Sequence, residues 1–434
     1  MRKPLVTLLC LVAASSGCLD PAPLSVDERD IAKQLARHFE EVFPGGSEGL
    51  LRPRFGIPVI LESSTTFPIA VIQRGAAQPL SAALLRSGDD HAQPIPLDLA
   101  EGARTPVERD RSIRNFSAHT DRTLAPGHYD LVVGTERVRH AVFVRAPSDR
   151  PLSVVQLSDL HLGRPGQSAL VAERLAAMVQ AVNVLAPDVV VVTGDMAEDG
   201  HDRTLEDAAA LALLELDAPM IAIIGNHDHA HWPNVTNTAE PDRGYYNFAH
   251  AFHGYRFVRM TVGGWDFVGF DSGQATFSLR VVPRGMRPET LALVRGTIVF
   301  SHALARAELS TKSTASGSRF VGSMRRGSKE LEETYFANAA RERVIHLGGH
   351  THWSDLFFVP REERRFQRVT FAKLVAPLHL DTPMMIINAP SITRITFPKV
   401  QHAADYGFVH LQLLPRETVV QFLLYDKAGH RIGS

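Results

Sequence analysis

The chain has 434 residues, of which 44% are hydrophobic and 21% charged, an ordinary globular composition and too much chain for one average domain. Its formal charge of −1 falls to −3 if Arg2 and Lys3 leave with a leader. That near-neutral balance supplies no basic field for a polyanion and excludes nucleic acid as the first expectation.

Residues 1–18 have the order of a secretory signal: Arg2 and Lys3, an apolar run from Pro4 to Ala14, then Ser15, Ser16 and Gly17 before Cys18. The run is about half of the roughly 20 residues that a spanning helix needs, and no other segment reads as a span. Ala14-Ser-Ser-Gly-Cys18 resembles the lipobox of bacterial lipoproteins, in which a diacylglycerol is joined to the cysteine. That resemblance implies export and a lipid anchor on Cys18 in the cell envelope, in the periplasm or at the outer membrane. Since Cys10 would leave with the leader, the mature chain would hold one cysteine and no intramolecular disulfide.

Residues 19–53 read as a polar tether followed by an amphipathic helix from Glu28 to Phe43, with Ile31, Leu35, Phe39 and Val42 at helical spacing. Over 54–148 the pattern changes to short apolar runs, among them Pro58–Leu61, Pro68–Ile72, Leu131–Val133 and Ala141–Val144, broken by Gly, Pro and Asp. This predicts a small all-β, immunoglobulin-like sandwich. Tyr129, entering a strand after Ala125-Pro-Gly, is placed to hydrogen-bond back to its corner. Ala146 to Pro151 is a proline-bounded linker.

From 152 to 430 the chain reads as α/β. Ser153–Leu157, Val189–Thr193, Met220–Ile224, Phe267–Phe270, Thr297–Phe300 and Val344–Leu347 are short apolar runs of the kind expected for strands buried on both faces. Leu170–Leu185 is a helix, and Thr204 with Asp207 predicts a capping box for a second helix running to Leu216. Leu374–Leu378, Met384–Asn388, Gly407–Leu413 and Val419–Tyr425 add strands, the first confined to an edge by Pro377, which predicts a second sheet packed on the first.

Each ligand-type cluster follows one of these strands: Asp159-Leu-His161, Gly194-Asp195, Gly225-Asn-His-Asp228, Ser301-His302 and Gly349-His-Thr-His352. Strand ends are where open α/β sheets build ligand sites. Borderline divalent metals accept imidazole nitrogen together with carboxylate and amide oxygen, and a pair of ions needs a bridging carboxylate, for which Asp195 is the natural candidate. One such motif is a common turn; five in order are not. His346, inside a strand, reads as core, whereas His229 and His231 read as loop residues. Thr311 to Lys329, rich in Ser and Gly and holding Lys312, Arg319, Arg325 and Arg326, reads as a solvated loop before a helix to Arg343.

In that order the five motifs resemble the calcineurin-like metallophosphoesterase pattern over roughly half the chain. The resemblance implies two packed sheets flanked by helices and two divalent ions such as Mn, Fe or Zn. Asp159, His161, Asp195 and His352 would surround one ion; Asp195, Asn226, His302 and His350 the other. It implies hydrolysis of a small phosphate mono- or diester by a hydroxide bridging the ions, with His227 as proton donor or charge stabiliser and Asp228 orienting it. Purple acid phosphatases have a glycine and a tyrosine where this chain has His161 and Glu198, and calcineurin-type protein phosphatases have an arginine where it has Ile224. A non-catalytic scaffold and a metal-dependent nuclease are the alternatives; the first usually lacks ligands that are all present here, and the second needs a basic groove.

Overall fold

The computed structural model describes residues 33–44, 48–62, 64–76, 78–89, 91–108, 110–229, 243–272, 296–304, 342–352, 354–361, 366–369, 371–374, 376–393 and 406–432. Cys18, Ile31, His231, the 311–329 loop and the helix expected after it lie outside these residues.

Glu48–Arg52 (β1), Val59–Leu61 (β2), Thr66–Arg74 (β3), Ala82–Arg86 (β4), Ile95–Glu108 (β5), Arg111–His119 (β6), Gly127–Val133 (β7) and Glu136–Val144 (β8) form an all-β unit in the order β1-β3-β6-β5-β4-β7-β8-β2. The long β5 changes partner midway, pairing with β4 at Ile95–Leu97 and with β6 from Asp98 onward. Both halves turn side chains into one core: Leu50, Ile69, Val71 and Phe116 from one, Leu84, Leu131 and Val142 from the other. The Tyr129 hydroxyl donates to the Ala125 carbonyl at 3.0 Å, the back-bond expected at that corner.

Strand side chains alternate between faces, so Ala70 and Ile72 of β3 and Ile113 of β6 point away from that core and join the larger one. There they meet Leu35 and Phe39, on the amino-terminal helical segment that ends in Phe39–Val42 (α1). The amphipathic spacing of that segment is therefore satisfied on two sides, against the all-β unit and against the helix Arg243–Ala251.

The second region holds two sheets. One has the order β11-β10-β9-β20-β21-β18, from Leu152–Leu157 (β9), Val189–Val192 (β10), Met220–Ala222 (β11), Leu378–Leu380 (β18), Tyr406–Leu413 (β20) and Thr418–Tyr425 (β21). The other runs β12-β13-β14-β15-β19-β16-β17, from Phe257–Val262 (β12), Trp265–Phe270 (β13), Thr297–Phe300 (β14), Val344–Gly348 (β15), Asp355–Val359 (β16), Gln367–Arg368 (β17) and Met384–Asn388 (β19). β9, β10 and β11 are parallel, as are β13, β14, β15 and β19. Every residue of β9, β10 and β15 is buried, which explains their unbroken apolar runs. Gln156 of β9 reaches across to the other sheet, its Nε2 donating to the Gly348 carbonyl at 2.8 Å.

Three expectations need correction. The helix Arg203–Leu213 (α3) is capped by Asp202, whose carboxylate accepts from the Thr204 amide at 3.0 Å, because Thr204 already lies inside the first turn. Phe371–Leu374 is a helical turn, and the edge strand begins only after Pro377. One further segment, the helix Ser168–Leu185 (α2), is long and apolar enough to cross a membrane, but Val171, Leu175, Met178 and Val182 place one of its sides in the core.

Arg54 ties the two regions together. Its guanidinium donates to the carbonyls of Leu50, His250 and Phe252 at 2.8–3.0 Å and pairs with Glu136 at 3.0 Å, almost wholly out of water. Arg54→Met is expected to cost about 2–3 kcal/mol, since three carbonyls and a carboxylate lose one shared charged donor. A lower urea midpoint checks it; an unchanged midpoint would show that the two regions hold together without this bridge.

Candidate metal centre

The loops leaving β9, β10, β11, β14 and β15 carry Asp159 and His161, Asp195, Asn226 to Asp228, His302, and His350 and His352 respectively. Five of these residues have left-handed backbone: Asp159 (φ 53°), His161 (48°), Asp195 (55°), His350 (70°) and His352 (60°). Such a conformation costs a non-glycine residue on the order of 1–3 kcal/mol and persists only where its surroundings over-determine it. Here the surroundings are a ladder between two loops: the Asp159 amide donates to Gly194, His161 to Asp195 and Leu162 to Met196, at 2.9–3.0 Å. The His350 amide donates to the Asp159 carboxylate at 3.0 Å, an approach possible because residue 349 is glycine; a Cβ there would collide with Ser158 Oγ and Asp159 Oδ2.

The side-chain atoms that converge are mostly acceptors. His302 Nδ1 lies 2.8 Å from the Thr193 carbonyl, which can only accept, so Nδ1 carries a proton and Nε2 is the atom left to face the cluster. That Nε2 is 2.9 Å from Asn226 Oδ1, 3.2 Å from Asp195 Oδ2 and 3.2 Å from His350 Nδ1. Beside it, His161 Nε2 and His352 Nε2 are 2.9 Å apart, His352 Nε2 is 3.2 Å from Asp159 Oδ1, and His161 Nε2 is 3.6 Å from Asp195 Oδ2. The same oxygen of Asp195 thus faces both groups. Nearly all these groups are buried, with Asp159, Asp195, His161 and His302 exposed by 1% or less.

Burial would raise Asp159 and Asp195, but the imidazoles of His352 and His302 outweigh it and hold both carboxyls well below the usual range. Burial would likewise depress His302, yet Asp195 pulls it up to about 10, because the carboxylate demands a positive charge beside it, which a bound cation would supply in place of a proton. Lone pairs aimed at lone pairs, two buried carboxylates and mixed nitrogen and oxygen donors fit divalent cations. Asp159, His161, Asp195 and His352 form one donor group, and Asp195, His302 and His350 another, each with its atoms within 4.8 Å of one another.

Asp228 has a different place from the one expected. Its carboxylate accepts the backbone amides of Asp195, Ala197 and Gly225 at 2.8–3.1 Å, while His227 is oriented through Nδ1 by the Glu198 carbonyl at 2.9 Å. Burial and the neighbouring Asp195 push Asp228 up to about 6 against those amides. Behind it Glu206, fully buried, is pushed far above the carboxylate range by burial and by Asp228. His229 is buried, with Nε2 3.2 Å from both carboxylate oxygens of Asp271, instead of lying in an exposed loop. His346 is core, 2.9 Å from Ser301 Oγ and depressed by burial to about 3. The sequence reading missed Glu198 as a partner of this site; an acid three residues after Asp195, on the same ladder, was the available signal.

A profile for the family described as calcineurin-like phosphoesterase matches residues 152–355. A protein of Synechococcus named "Probable cyclic nucleotide phosphodiesterase" is 38% identical over 81 residues, 18% of this chain and 31% of that protein. One of Moraxella catarrhalis with the same name is 36% identical over 87 residues, 19% of this chain and 30% of its own. The chain therefore spans about a third of these curated relatives. A purple acid phosphatase from yellow lupin (Lupinus luteus) seeds superposes with a TM-score of 0.48 at 12% identity, covering 85% of this chain and 72% of that one. A dimetal phosphatase from Danio rerio gives 0.39 at 12% identity, over 63% and 96%.

Asp228→Ala should lower stability by about 3 kcal/mol, because three buried amides lose their acceptor, whereas His227→Ala should stay within about 1 kcal/mol. Denaturant titration separates the two; equal losses would mean that Asp228 does not brace the loops.

Proposed function

Because residues 152–355 belong to the calcineurin-like phosphoesterases, we propose that this site binds two divalent cations and hydrolyses a phosphoester. The observation that carries the reading is the double donor cluster meeting at Asp195 Oδ2, 3.6 Å from His161 Nε2 and 3.2 Å from His302 Nε2. Asp159, His161, Asp195 and His352 would hold one cation, and Asp195, Asn226, His302 and His350 the other; the donor set suits Mn, Fe or Zn. When bound, the ions acidify water toward neutrality and withdraw charge from the phosphoryl oxygens.

His227 is half-buried at the edge of the cluster, its amide donating to Asp195 Oδ1 at 2.8 Å. With Nδ1 protonated and tied to Glu198, Nε2 is the atom assigned to the leaving oxygen, to which the imidazolium gives its second proton. The backbone contact with Asp195 couples the position of that proton donor to the carboxylate shared by the two donor groups. A phosphodiester is the substrate class adopted, in view of the phosphodiesterase names of the two relatives.

Purified protein with added manganese is expected to hold two ions and to cleave bis-nitrophenyl phosphate faster than the monoester. Asp195→Asn is expected to lose more than about a hundredfold in rate together with bound metal. Hydrolysis that survives this variant or chelation would overturn the assignment of the centre, and a preference for the monoester would overturn the diester assignment.

Export and a lipid anchor on Cys18 belong to the same proposal, on the strength of residues 1–18. Cys18→Ser should move the protein from the membrane to the soluble envelope fraction; retention on the membrane would sink the anchor.

A further inference from the structure

We infer that Glu198 is a positioning residue that sets the tautomer of two imidazoles at once, His161 through its side chain and His227 through its main chain. The inference rests on the two-cation reading given above and identifies what holds one of its ligands in place.

Glu198 lies on the ladder between the two ligand loops, its amide donating to the Leu162 carbonyl at 2.8 Å, so its backbone is fixed relative to His161. Its side chain is 5% exposed and turns inward, bringing Oε2 to 2.7 Å from His161 Nδ1. The two atoms are at hydrogen-bonding distance without the alignment of a hydrogen bond, and both are buried with no hydrogen-bond partner. Each is thus the group within reach that can satisfy the other. Once aligned, the pair would have Nδ1–H donating to the carboxylate.

That donation matters because of what the other ring nitrogen does. A histidine that gives its Nδ1 proton to a carboxylate must present a lone pair at Nε2, and the carboxylate makes that nitrogen more basic. His161 Nε2 is the atom that faces His352, Asp159 and Asp195. Without the carboxylate the proton could as well sit on Nε2, where it would block a cation. The Glu198 carbonyl performs the same service for His227, 2.9 Å from its Nδ1. The two rings meet edge to face, centroids 4.6 Å apart and planes at 86°, so a shift of one ring is felt by the other. Sulfur, aromatic or aliphatic residues at position 198 would keep the carbonyl and lose the carboxylate, which makes the two services separable.

The test measures metal, not turnover. Stripped protein is titrated with Co(II), the two binding steps being followed by visible absorption and calorimetry. Glu198→Ala is expected to weaken one of the two steps 10–100-fold and leave the other unchanged. Glu198→Gln keeps an acceptor beside Nδ1 and should stay within about threefold. A role in packing alone would move the urea midpoint of the stripped protein in both variants and weaken neither step selectively; that result, or equal loss in both steps, would overturn the inference, as would wild-type protein that binds no cobalt. If two ions bind as expected but no phosphoester is cleaved, the hydrolase reading fails while the role of Glu198 stands.

Discussion

Asp159 and Asp195 are buried carboxylates that accept backbone amides from His350 and His227 and otherwise face the imidazoles of the cluster, and the protein around them is arranged to keep them there. Neither can be stabilised by water, and each is held ionised by nearby imidazoles. Removing a charge from water without a partner is so costly that such a cluster forms only if the chain is forced into it. The force is visible in the backbone: five donor residues take left-handed φ values that their side chains disfavour. The strain and the buried charge are two aspects of one constraint, since a relaxed loop would turn the same side chains toward solvent.

What opposes that relaxation is the rigidity of the two sheets. Parallel strands β9, β10 and β11, and β13, β14 and β15, end on the same side, and each loop begins from a strand whose side chains are packed on both faces. The loop ladder from Asp159 to Glu198 extends that rigidity beyond the strands. Asp228 closes it from below, drawing three amides from two loops onto one carboxylate. Packing energy from the core is thereby transmitted to atoms that would otherwise repel one another, and a cation would complete an arrangement already made.

The amino-terminal region is joined to this frame by mixed means. Leu35 and Phe39 fill the space between the faces of β3 and β6 and the helix Arg243–Ala251, while His38 stacks on Tyr246 at 3.9 Å and Arg54 supplies fixed charge. An apolar seam gives adhesion, and the guanidinium gives register, because its donors fit carbonyls at set positions. Helix Arg243–Ala251 comes shortly after Asn226–His229 and packs on it, so the joint and the donor cluster share a neighbour.

The sequence by itself determined the kinds of element and which polar residues follow the buried strands. Strands buried on both faces must be continuously apolar, so Val189–Val192 and Val344–Leu347 were legible, and a donor following each of five strands was legible because strand ends converge in parallel sheets. The order of sheets, by contrast, depends on long-range pairing: nothing local in Tyr406–Leu413 shows that it lies beside β9. Single carboxylates were the least legible. Asp228 sits next to His227 in the chain and was expected to serve it, yet helical geometry sends its side chain to the amides of another loop. Glu198 carried no motif of its own, but its place on the ladder brings it to His161. A side chain's partner is set by the direction in which its Cα–Cβ bond points once the loops have docked, and that direction exists only in three dimensions.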